Sequence, residues 1–137
     1  MGVERTIFVD TGDFGSLDPV AYIEVAEAAR EQGLAPPDLS DARNRNDIFV
    51  RCGVEYHTNG LSALQSLSSR SVDFITSTVV IEHIRRQDLE PTFVELQRIT
   101  VTDGLGWHTI DFHDHLGGKL ANLRFSPAVW PDCPRVD

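Results

Sequence analysis

The amino-acid sequence predicts an α/β domain built on a mostly parallel sheet. Three observations predict it. Short apolar runs of strand type alternate with segments whose apolar residues recur at helical spacing. Gly, Pro and N-capping residues stand where such elements start and stop. Small, polar and ionisable residues collect at the carboxyl ends of the runs, the edge at which open parallel sheets bind ligands.

The elements follow in order. "RTIFVD", Arg5 to Asp10, is a short strand ending in an acid, and "TGDFGSLD" is a Gly-rich turn. Asp18 reads as an N-cap with Pro19 at the first helical position. Val20, Ile23, Ala26 and Ala29 then define one helix face, and Gly33 closes the helix before "APPD". "LSDARNRNDIFVRCG" is a weaker helix, capped by Ser40 and stopped by Gly53. "VEYHT" is a strand, "NG" a turn, and "LSALQSL" a short helix or loop. "SVDFITS" is the clearest strand. "DLEPTFVELQRI" is a helix with Leu89, Phe93 and Leu96 on one face and Pro91 in its first turn. "TDG" reads as the following turn and "LGWHTIDF" as the last strand. The tail from His115 onward has Gly and Pro breaks and little periodicity.

At 137 residues the chain has the size of one domain, and its 41 % apolar content is that of globular material. No apolar run approaches the roughly 20 residues of a membrane span. No basic region followed by an apolar stretch opens the chain, which predicts a cytoplasmic protein. The net charge of −9 argues against nucleic acid as a partner, because phosphate contacts call for a basic stripe. Cys52 and Cys133 lie far apart and form no metal or redox motif.

The candidate site residues lie at the strand ends. The first strand ends at Asp10, Thr11 and Gly12. A carboxylate there can accept both hydroxyls of a ribose, and glycine lets the backbone come close; a turn or helix-capping aspartate is the competing reading. "SVDFITS" ends at Ser77 and Thr78, with Glu82 and His83 on the next turn. The last strand ends at Asp111, followed by His113, Asp114 and His115.

"SVDFITSTVVIEHI", followed by "LEPTFVELQRITVTDGLGWHTIDF", resembles the fourth strand, next helix and fifth strand of class I S-adenosylmethionine-dependent methyltransferases. "IFVDTGDFG" is then similar to the family's second strand, with Asp10 as the ribose acid. The likeness runs from about Ile7 to His115. It implies an incomplete Rossmann-like three-layer sandwich and methyl transfer from S-adenosyl-L-methionine to a small-molecule acceptor. The cofactor contacts it implies are Asp10, Thr11, Gly12, Asn59, Gly60, Ser77 and Thr78. His83 and Glu82 stand beside the reacting methyl group, and Asp111, Asp114 and His115 face the acceptor. Hydrogen bonding of Glu82 and His83 to a helix terminus is the competing reading for that pair.

The departure from the family is at its Gly-rich D/E-x-G-x-G-x-G turn, which binds the methionine part of the cofactor. "DTGDFG" is at most a degraded copy, and no acid-ending strand follows its helix. The first strand, central in the family sheet between the second and fourth, is therefore expected to be missing, as are the last strands. Residues 1–137 read as one partial domain with weak or no activity alone. Unpaired sheet edges invite self-association.

Two other readings compete. A non-catalytic remnant or partner-binding module of the same fold fits the missing turn. A metal enzyme would use Asp111, His113 and His115, which share one face of a strand and form a two-histidine, one-carboxylate set. Trp107 and Trp130 are candidate core or stacking residues. Tyr22 and Phe93 fit core faces, and Lys119 and Arg124 fit a solvated surface.

Overall fold

The computed structural model describes residues 3–113. Among them the elements run β1 (Thr6–Val9), α1 (Pro19–Glu31), α2 (Arg45–Arg51), β2 (Val54–His57), α3 (Leu61–Ser66), β3 (Val72–Thr78), a 3₁₀ turn (Ile81–His83), α4 (Arg86–Ile99) and β4 (Thr100–Thr109). The α/β class and the parallel pairing agree with the sequence reading. The chain divides into two compact units, Met1–Ala63 and Leu64–Asp137. Among the described residues the strands form two sheets. β1 pairs with β2 and β3 with β4, each as a two-stranded parallel ladder. Among the described residues no further strand joins the pairs.

In the first unit, local chemistry sets the ends of α1. The Asp18 carboxylate accepts the Val20 N–H at 3.0 Å, with Pro19 at the first helical position. Gly33 sits at φ +80, and two reversed bonds, Gly33 N–H to Arg30 O and Leu34 N–H to Ala29 O, close the last turn. The helix buries Ala26 with Leu39 and Ile48, and Tyr22, Ile23, Ala42 and Phe49 pack around them. Val20, expected on that face, is exposed. Steps of three residues precess by about 60° around a helix, so Val20 is rotated well away from Ala26.

The second helix is shorter than expected. Asn44, not Ser40, is its cap, accepting the Asp47 N–H at 3.0 Å, while the Asp47 carboxylate accepts the Arg43 N–H at 3.1 Å. Ser40 instead donates its own N–H to Asp38 in a local turn. Gly53 ends the segment at φ +63, where a Cβ would lie 3.1 Å from the Glu4 carbonyl.

In the second unit, β3 and β4 run in register from Phe74↔Leu105 to Thr78↔Thr109. The expected "TDG" turn is absent, because Thr102–Gly104 lie inside β4. Between Val72↔Thr100 and Phe74↔Leu105, β3 advances two residues (74 − 72) and β4 five (105 − 100), so the extra length forms a bulge. A Cβ on Gly104 would meet the Asp73 carbonyl at 3.0 Å and the Val101 carbonyl at 3.1 Å.

Helix α4 starts two residues before Asp88, so Pro91 is its sixth residue and lies beyond the first turn. Its buried residues are Thr92 and Ile99. Phe93, expected in the core, is 42 % exposed and packs edge-on against His108 with ring centroids 6.0 Å apart. Arg98 ties the helix to α3 and the residue that follows it, donating to the carbonyls of Leu64 and Leu67 at 3.0 and 2.9 Å.

Candidate functional site

At the carboxyl ends of β1 and β2 the structure brings together Asp10, Thr11, Gly12, Asn59 and Gly60. The Asp10 N–H continues the ladder to His57 O at 2.8 Å, and the Gly60 N–H returns to Asp10 O at 2.8 Å. Gly60 stands at φ +51, and a Cβ there would touch the Thr11 methyl at 3.4 Å. Asn59 supports the same turn through its carbonyl, which accepts the Ser62 N–H. The Asp10 carboxylate accepts the Thr11 N–H through Oδ1 at 2.7 Å. Its Oδ2 has no protein partner among the described residues. One oxygen thus fixes the carboxylate, and the second can still accept a ligand hydroxyl.

Residues that sequence reasoning did not assign hold the Gly12 turn. The Tyr56 hydroxyl donates to Gly12 O at 3.0 Å and accepts the Phe14 N–H at 3.1 Å. Arg45 bonds both Asp13 oxygens, at 2.5 and 3.0 Å, and also Gly15 O. Its guanidinium lies 5.7 and 5.8 Å from the Phe49 and Tyr56 ring centres. The Arg45 hydrogen bonds hold the Asp13 carboxyl below the usual carboxylate range. The hydrogen bonds span 30 residues or more, beyond the reach of any local motif.

At the ends of β3 and β4 the assigned residues separate. Ser77 and Thr78 point to opposite faces, as consecutive strand residues must. The Ser77 hydroxyl is 2.7 Å from His108 Nδ1, on the side where Phe93 packs, so it does not line a common floor with Thr78. His108 was not singled out in the sequence; its position opposite Ser77 follows only from the strand register. Val79 then adopts φ +55, a left-handed conformation that a β-branched residue rarely takes.

Glu82 and Asp111 do meet. Glu82 Oε1 accepts the Asp111 N–H at 3.1 Å, while Glu82 Oε2 is buried without a hydrogen-bond partner. His83 is exposed on the 3₁₀ turn. β4 ends at Thr109, so Asp111 and His113 lie beyond the strand and not on one strand face. They form a local pair instead, His113 Nδ1 to Asp111 Oδ1 at 2.7 Å. Among the described residues no group of three His, Cys, Asp or Glu converges to hold a metal ion. Asp114 and His115, with Lys119, Arg124, Trp130 and Cys133, lie outside the described residues.

One groove of about 520 Å³, lined by Asp41, Arg43, Asn44, Asp47, Val50 and Arg51, lies along α2. Another, of about 650 Å³, lies at the start of β4 and the end of α4, beside Arg70, Arg98 and Thr100. No helix among the described residues is long and apolar enough to cross a membrane. No protein family, curated protein or solved structure matches the chain.

Proposed function

We propose that the chain is a class I methyltransferase-like domain that recognises the adenosine part of S-adenosyl-L-methionine and serves methyl transfer to a small-molecule acceptor. The observation that carries this reading is the Asp10 carboxylate at the end of β1, held by the Thr11 N–H beside the positive-φ Gly60 turn of β2. The pairing supports it too. β1 with β2 and β3 with β4 correspond to the family's second with third and fourth with fifth strands, the pairs that flank its first strand. Methyl transfer is an in-line displacement for which positioning supplies much of the rate. The finer three-layer architecture, the acceptor-side roles of Glu82, His83 and Asp111, and weak activity of the isolated chain belong to the same proposal.

Calorimetric titration with S-adenosylhomocysteine tests it. Binding in the micromolar range that weakens at least tenfold in Asp10→Ala supports the reading. A folded chain that binds nothing, or whose binding ignores Asp10, overturns it.

A second reading, a non-catalytic partner-binding module, is favoured by one observation. Parallel sheets normally have both faces covered, yet Phe74, Leu105 and Trp107 share one face of β3–β4 and are 57 %, 69 % and 68 % exposed.

A further inference from the structure

Each strand of a two-stranded sheet leaves one edge without a partner, and the four edges here are not equivalent. β1 and β2 are four residues long, and short edges offer little to pair with. β4 carries a bulge, Asp103 and two glycines, Gly104 and Gly106, all of which disfavour a neighbour. β3 has none of these protections. "VDFITST" is seven residues long, rich in β-branched residues and free of Pro, Gly and Lys, with Asp73 its sole charge.

The hydrogen bonds fix which groups that edge presents. The N–H groups of Ser71 and Val79 both reach the β4 side, to Ile99 O and Thr109 O at 2.8 Å. Strand alternation therefore turns the N–H and C=O groups of Val72, Phe74, Thr76 and Thr78 outward. No strand among the described residues pairs with them.

We propose that this edge pairs with the same edge of a second copy of the chain, antiparallel, about a two-fold axis at Ile75. That register sets Val72 opposite Thr78 and Phe74 opposite Thr76, all outward-facing pairs that exchange both bonds. Asp73 falls opposite Ser77, so no like charges oppose each other despite the chain's net charge of −9. Ile75 meets its own counterpart in a non-hydrogen-bonded pair. The arrangement is isologous and closes as a dimer. It sets Phe74 of one copy between the Leu105–Trp107 flank of its own sheet and Thr76 of the partner, which enlarges one continuous apolar face. The inference is independent of the cofactor reading and needs no ligand.

Sedimentation of the whole chain across the micromolar range, with circular dichroism as a check of folding, tests it. The expected result is a reversible monomer–dimer equilibrium. Thr76→Pro removes an outward N–H without costing a β3–β4 bond and is expected to weaken it at least tenfold. A second arm guards against misfolding of that variant. In a Cys52→Ser, Cys133→Ser background, Ile75→Cys should oxidise to a disulfide-linked dimer, because non-hydrogen-bonded pairs bring Cα atoms to about 4.5 Å. Asp73→Cys should not. A chain that stays monomeric, a dimer indifferent to Thr76→Pro when folded, cross-linking at position 73 instead of 75, or growth into open fibrils would each overturn the proposal.

Discussion

Val79 holds a conformation that its side chain resists. At φ +55 its Cβ crowds the following carbonyl, which costs roughly 1–2 kcal/mol. Asn tolerates that region without the chain entropy of Gly. Val79→Asn is therefore expected to raise stability by about 1 kcal/mol in urea unfolding, and Val79→Ala to give no such gain. Equal effects of the two variants would mean the strain is absent in solution. The Asp13–Arg45 pair makes a different prediction. The carboxyl titrates below its unfolded value near about 4. Its contribution is fully present above the unfolded pKa and disappears as pH falls through the lower folded one. The Phe14 amide resonance, next to this pair, should be steady between neutral pH and about pH 5 and shift only in stronger acid. In Asp13→Asn the acid step should vanish.

At the scale of elements, local chemistry was the readable part. Asp18, Pro19 and Gly33 bracket α1 because each acts within one helical turn. Asn44 displaced Ser40 as the α2 cap because Asp38 draws the Ser40 N–H into its own turn. "TDG" misled because its turn-forming residues serve a bulge, and a bulge is defined by the partner strand. Gly104 is the key residue there. Gly104→Ala would push a methyl group against two carbonyls, and we expect a loss of about 1–3 kcal/mol, read as a lower urea midpoint with unchanged slope. The candidate site divides the same way. Asp10 and Gly60 were legible as strand-end residues. Tyr56, Arg45 and His108 were not, since each acts across more than 30 positions.

For the whole molecule, the sequence reading supplied the class and the parallel sense of pairing. Pairing sense follows from helices between successive strands. How many strands share a sheet depends on which strands meet across the fold, which local pattern does not reveal. Small cores are the energetic result: Ala26, Leu39 and Ile48 in the first unit, and Leu64, Ile81 and Ile99 in the second. Units of this size hold little stability in reserve. Ile48→Ala and Ile99→Ala, at the two most buried side chains among the described residues, should each cost about 2–5 kcal/mol and leave the affected unit unfolded by circular dichroism.

The tyrosines and tryptophans are divided between those two stretches of chain. Tyr22 and Tyr56 both belong to Met1–Ala63, and Trp107 and Trp130 both to Leu64–Asp137. Ultraviolet emission therefore comes in two colours that need no label: tyrosine light reports the half that carries Asp10, and indole light the half that carries β3. A single denaturation followed at both wavelengths shows whether the halves melt as one cooperative body or in succession. A ligand that protects only one of them identifies by colour the half in which it is bound.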